Sequence, residues 1–165
     1  MPHEQFKQIM DFNTPLSTLD LMKALERHNL DSIVKVSAWN CIPFYHEKFP
    51  QFYIMNTDAS YLSGSHWTVI YLPSKLGLVE YFDSFGSPPP EKLINEPYIY
   101  NTVQLQNVFS AVCGHYCLLF IWYRKKLNFS LGDFVRKMSR RNCREIFNES
   151  FKLFFINNKN NLEKV

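Results

Sequence analysis

The chain has little cysteine, no long apolar run and no strong net charge, and each shortage removes a class of protein. Its four cysteines, Cys41, Cys113, Cys117 and Cys143, are spread unevenly over 165 residues. That is too few for a disulfide framework and points to a reducing compartment. They do not form a zinc motif either. Cys113 and Cys117 flank His115 without the usual two-residue gap, and no second ligand pair follows, so no metal site is expected. The longest unbroken apolar run, which contains Cys117 to Tyr123, is far too short to cross a bilayer. No membrane partner is expected. Met1-Pro2-His3-Glu4-Gln5 has neither the basic flank nor the apolar stretch of a secretory signal, so no signal peptide is expected. Internal repeats and low-complexity tracts are absent.

What is present fits one domain spanning residues 1–165, long enough to bury a core. The ends, 1–15 and 157–165, are polar and expected to be flexible. The net charge of +3 is unevenly placed. Between Arg124 and Arg144 eight basic residues stand against Asp133 alone, a local +7 that leaves the remainder net −4. Such asymmetry points to an anionic partner, non-specific DNA being the one considered. Arg136, Lys137, Arg140 and Arg141 would make the contacts, and a solvated helix face is the alternative.

Ser17-x-x-Asp20 is close to a capping box, and Leu21, Met22, Leu25 and His28 follow at helical spacing up to Asn29. Strands are expected at Ser32–Trp39, Phe52–Met55, His66–Leu72, Leu78–Phe82 and Tyr98–Leu105. Pro73 to Gly77 turns the third into the fourth, and Pro88-Pro89-Pro90 is a stiff exit. Cys113 to Lys126 is apolar nearly all round, as an enclosed helix is. Two further helices are expected at Ser130–Arg141 and Asn142–Ile156. Helices at both ends of a mid-chain set of strands indicate an α+β fold.

The chemistry lies in four residues. Cys113 opens the apolar helix, where aligned backbone dipoles favour a thiolate nucleophile. His66, at the start of a strand, is the candidate general base. Asp83 ends the next strand. Antiparallel pairing through the short turn brings it beside His66, where it would fix the tautomer and support the imidazolium. Glu80 is the rival carboxylate, within the strand rather than at its end. Gln106 is the candidate oxyanion donor, acting with the backbone N–H of Cys113, and Gln104 is its competitor. Gly64, Ser65 and Trp67 flank the base and Gly114 follows the nucleophile, which makes them candidates for substrate binding. Cys117 and His115 fit core positions, and Cys41 and Cys143 fit free or structural thiols.

The order His, acid, Gln, Cys is the reverse of papain's. It resembles the adenovirus maturation proteases (adenain) and the wider clan that includes the SUMO- and ubiquitin-like proteases. Lys48-Phe49-Pro50, Asn56-Thr57, Gly64-Ser65-His66-Trp67, Tyr81-Phe82-Asp83-Ser84-Phe85-Gly86 and Gln106 with Cys113-Gly114 carry the likeness over roughly residues 17 to 125. Six residues separate Gln106 from Cys113, one more than is usual in SUMO proteases, which favours the viral branch. Similar proteases occur in virophages and Polinton (Maverick) elements. Adenain has Glu where Asp83 stands.

The resemblance implies a papain-like fold in permuted order: a central mixed sheet, a buried helix carrying the cysteine, and flanking helices. It implies endoproteolysis of capsid protein precursors during particle maturation, often at glycine-rich sites, by a monomer in the virion and infected host cell. No cofactor is required, although DNA or a peptide could activate. Adenain tethers its activating peptide through a cysteine shortly before the nucleophile. No cysteine lies between Cys41 and Cys113, so a disulfide-linked peptide is not expected. The competing readings are a ubiquitin-like or SUMO-type isopeptidase of the same clan, and a non-catalytic protein that binds nucleic acid or capsid.

Overall fold

Reciprocal capping starts the first helix of the computed structural model, which describes residues 12–43, 48–61, 66–91, 93–147 and 149. In α1 (Thr18–Arg27), Asp20 N–H donates to Ser17 Oγ at 3.1 Å and Ser17 N–H donates to the Asp20 carboxylate at 2.9 Å. Leu21, Ala24 and Leu25 face inward. Met22, expected on the same face, is 47% exposed because it stands one position off that stripe. Asn29, at φ 55°, ends the helix.

Five strands follow: β1 (Val34–Ala38), β2 (Gln51–Asn56), β3 (Trp67–Leu72), β4 (Val79–Phe82) and β5 (Tyr98–Tyr100). They form one mixed sheet in sequence order, with β1–β2 and β4–β5 parallel and the two central pairs antiparallel. Strands β2, β3 and β4 are buried on both faces. One face, with Phe52, Ile54, Val69, Tyr71 and Phe82, packs under the helices. The other, with Tyr53, Met55, Ile70 and Tyr81, is covered by irregular chain that includes Ile42, Leu93 and Ile94.

The expected strand Tyr98–Leu105 is cut short. Only Tyr98–Tyr100 pairs, because Asn101 turns its side chain onto the backbone of Asp83, and Leu105 and Gln106 both donate to the Ser84 carbonyl. The rest is a loop that wraps the end of β4.

Helix α2 (Cys113–Lys126) has the expected span and is buried on every side from Cys113 to Tyr123 except at Leu118. Phe120 stacks on Phe82 with ring centres 4.9 Å apart, and Phe134 of α3 (Leu131–Met138) meets both rings edge-on. The Ser130 hydroxyl caps α3, which ends at Met138 rather than Arg141. Residues 143–147 are helical. Residue 149 is helical too, and residues 148 and 150–156 of the expected final helix, the 157–165 tail, most of the 1–15 segment, and Gly64 and Ser65 lie outside the described residues. The fold is α+β, with the central helix laid against a mixed sheet.

A partly buried ion pair ties helix to sheet. Arg124 donates from Nε and Nη2 to the Glu80 carboxylate, at 2.8 Å for the shortest contact, and lies over the Tyr71 ring. The Glu80 side chain is only 5% exposed. Removing one partner of such a pair strands the other charge, whereas replacing both by apolar groups does not. Arg124→Ala should therefore lower stability by about 2–4 kcal/mol. Arg124→Met with Glu80→Leu should recover most of that loss in urea denaturation. A double variant no more stable than Arg124→Ala would show that the pair does more than neutralise Glu80.

Candidate active site

β3 and β4 pair with Val69 opposite Phe82. His66 stands one residue before β3 and Asp83 one residue after β4, at the same end of the pair. His66 Nε2 and Asp83 Oδ1 are 2.7 Å apart. Asp83 Oδ1 also accepts Phe85 N–H at 2.8 Å. The Phe85 ring stacks on the imidazole at 4.6 Å and covers one of its faces. Gly86 N–H closes the turn onto the Asp83 carbonyl at 2.8 Å. Gly86 needs to be glycine, since its φ is +73° and a Cβ would lie 2.8 Å from the Val103 backbone.

Cys113 begins α2 with no side chain capping the helix, which leaves its first N–H groups for the thiol and its surroundings. With Nε2 committed to Asp83, Nδ1 is the ring nitrogen left to meet Cys113. Burial disfavours the imidazolium, but the bonds to Asp83 and Cys113 outweigh it and push the His66 pKa up to about 9. Burial likewise raises the Cys113 thiol, yet His66 and the backbone N–H groups of Trp67 and Gly114 bring it below the ordinary thiol value. The two shifts belong to one pair and favour thiolate with imidazolium. Cys117, fully buried one turn on, is shifted the opposite way by desolvation.

The two carboxylates on this strand are separated by their partners. Glu80 is occupied by Arg124, and Asp83 alone reaches the imidazole. The glutamines separate by burial. Gln104 is exposed and bonds to the Gln106 carbonyl, while Gln106 is 2% exposed. Gln106 Oε1 accepts Ser84 Oγ–H at 2.5 Å, and Nε2 donates to the Ser110 carbonyl at 2.9 Å. This fixes the amide orientation and leaves one of its two N–H groups to another acceptor.

His66, Trp67 and Cys113 line one cleft of about 650 Å³ together with the start of α1, the end of β1, Asn56 and residues 58–60. Gly114 does not line it. A Cβ there would meet Leu16 at 3.1 Å and Trp67 at 3.4 Å, so this glycine serves close packing rather than substrate approach. His115 is buried and stacked on Phe12, a packing role. Among the expected DNA contacts, Arg136 pairs with Asp133, and Arg141 pairs with Glu149 and Glu145. Part of the local charge is thereby neutralised. Among the described residues no group of three or more His, Cys, Asp and Glu is placed to hold a metal ion, and no helix is long and apolar enough to cross a membrane.

Sequence reasoning missed Asn101, Ser84 and Phe85. Asn101 exchanges hydrogen bonds with the Asp83 backbone, donating at 2.5 Å and accepting at 3.0 Å, and holds the carboxylate's turn. Ser84 holds Gln106. Only the Asp83-Ser84-Phe85-Gly86 string hinted at either. The link to residues 101 and 106 is non-local, and no spacing rule reveals it.

No protein-family model matches the chain, and no curated protein matches it in sequence. Among solved structures it is similar to the crystal structure of the ASFV pS273R protease, with TM-score 0.52 and 21% identity over 81% of this chain. The match spans 65% of that longer chain. The likeness is one of fold, and it agrees with the papain-like arrangement of sheet and central helix.

The pair predicts how Cys113 reacts. Its alkylation by iodoacetamide, followed by mass spectrometry, should stay fast below the pH at which an ordinary thiol deprotonates. In Asp83→Asn the imidazolium is less supported, so the acid-side fall should begin at higher pH. Superimposable profiles would remove Asp83 from the pair.

Proposed function

We propose that this chain is a cysteine endopeptidase that cleaves viral or virus-like capsid precursors during particle maturation. The observation that carries the reading is Cys113 at an uncapped helix start, with His66 at the wall of the same cleft and Asp83 holding His66 at 2.7 Å. A likeness of fold to the ASFV pS273R protease supports it.

In this reading the Cys113 thiolate attacks the scissile carbonyl carbon. The oxyanion is received by the Cys113 backbone N–H and the free N–H of Gln106. The His66 imidazolium passes its proton to the leaving amine, and the C–N bond breaks to give a thioester. Water, deprotonated by His66, then hydrolyses the thioester and restores the thiolate. The basic segment would hold the enzyme on DNA within the particle. Replacing Arg136, Lys137, Arg140 and Arg141 by Gln should then flatten the salt dependence of DNA binding, and an unchanged slope would withdraw that role.

The test is incubation with the structural proteins of the genome that encodes the chain, with cut sites mapped by mass spectrometry. Discrete cuts lost in Cys113→Ala are expected. Cleavage of ubiquitin-like fusions instead would move the reading to an isopeptidase, and no Cys113-dependent cleavage of either would overturn it. Gln106→Ala should lower kcat by roughly a hundredfold or more with little change in KM. Activity needs both the thiolate and the imidazolium. It should rise as the Cys113 thiol ionises and fall as pH rises through about 9, where His66 loses its proton. An alkaline limb unmoved by Asp83→Asn would sink this assignment.

A further inference from the structure

The cleft beside Cys113 contains a charged side chain that the chemistry above does not use. Its walls are mostly small, apolar or hydroxyl-bearing, with Leu16, Val36, Ala59, Ser17 and Ser37 among them, and Asp58 is the one carboxylate among the lining residues. Asp58 is half-buried. Its N–H donates to Asn56 Oδ1 at 2.9 Å, and among the described residues no hydrogen bond or ion pair engages its carboxylate. His66, the one basic side chain among the lining residues, already faces Asp83.

Its place relative to the reacting atoms follows from the sheet. Asn56 pairs with Trp67, and Thr57 N–H donates to the His66 carbonyl at 2.9 Å, one further step of the same ladder. Asp58 is the next residue. Neighbouring strands lie about 4.8 Å apart and a strand advances about 3.3 Å per residue, so Asp58 is within about two residues of extended peptide from His66. The chain two residues on is tied down, since Ser60 N–H donates to Asn40 Oδ1 at 2.8 Å and Asn40 Nδ2 donates to Ser60 Oγ at 3.1 Å. A carboxylate held in a shaped, half-desolvated wall loses little freedom on pairing, and it repels an acidic residue as well as attracting a basic one.

We propose that Asp58 is a specificity residue that selects substrates with a lysine or arginine within three positions of the scissile bond. The proposal rests on the peptidase reading and names the substrate class of that same site.

A peptide library randomised over eight positions, digested and sequenced by mass spectrometry, tests it directly. The wild type should enrich lysine or arginine over glutamate at one fixed offset from the cut, on the order of fivefold to tenfold, the scale of one half-exposed ion pair. Asp58→Asn should lose the preference, Asp58→Lys should reverse it toward glutamate, and added salt should shrink it. A preference that survives in Asp58→Asn, or no charge preference at any offset in the wild type, overturns the proposal. Capture of the same library on Cys113→Ala separates this result from the peptidase reading. Basic peptides retained by Cys113→Ala and released by Cys113→Ala with Asp58→Asn support the assignment without turnover. Equal retention by both overturns it even where cleavage is robust.

Discussion

The site depends on how closely the start of the cysteine helix can approach the start of β3. Gly114 sets that distance. Its missing side chain leaves room for Leu16 and Trp67, and a methyl group there would crowd Leu16 and touch Trp67. Trp67 Nε1–H reaches past the helix to the Leu16 carbonyl at 2.9 Å and locks the approach from the other side. His66 precedes Trp67 and Cys113 precedes Gly114, so one tight contact between neighbours brings thiol and imidazole together. Moving the helix outward by an ångström would keep the core but break the pair, because hydrogen bonds weaken over far shorter distances than apolar contacts do.

β4 shows how one strand handles two buried acids differently. Glu80 points to the helix face and is neutralised by a fixed cation, Arg124, whose charge never changes at working pH. Asp83 stands past the strand's end and faces a histidine, whose charge does change. The first arrangement gives only attachment. The second gives a group that can hold and release a proton. Position along the strand, rather than acid type, decides which is which, because only the end of the strand comes beside His66.

Much of the frame was legible because it is local. Ser17-x-x-Asp20 announces its capping box, the alternation after His66 announces a strand, and the apolar run after Cys113 announces an enclosed helix. The antiparallel turn made Asp83 the better partner for His66 than Glu80. What stayed hidden is non-local. Nothing in Tyr98–Leu105 says that Asn101 will leave the sheet to bind the Asp83 backbone, or that Ser84 will hold Gln106. Gly114 was legible as special, but its reason was not, since Leu16 lies almost a hundred positions away in the chain. The charge count between Arg124 and Arg144 shows only part of the balance, because partners of two of those cations, Glu80, Glu145 and Glu149, lie outside that window.

Burying a carboxylate, an imidazole and a thiol together is unfavourable unless each polar atom is matched. Here the matching comes mostly from backbone. Phe85 N–H meets Asp83, and Trp67 and Gly114 N–H groups meet the thiol. Backbone donors cannot rotate away or titrate, so they favour the charged forms of Asp83 and Cys113 whatever the protonation of His66. Phe85 adds an apolar lid over the imidazole, which keeps water from competing for the Asp83 bond. The loop from Asn101 to Gln106 pins the Asp83–Ser84 turn from outside the sheet. An irregular segment can therefore matter more to the site than the strand it replaces. A continued strand would satisfy its own backbone groups, but it would leave Asp83 and Gln106 without the contacts that orient them.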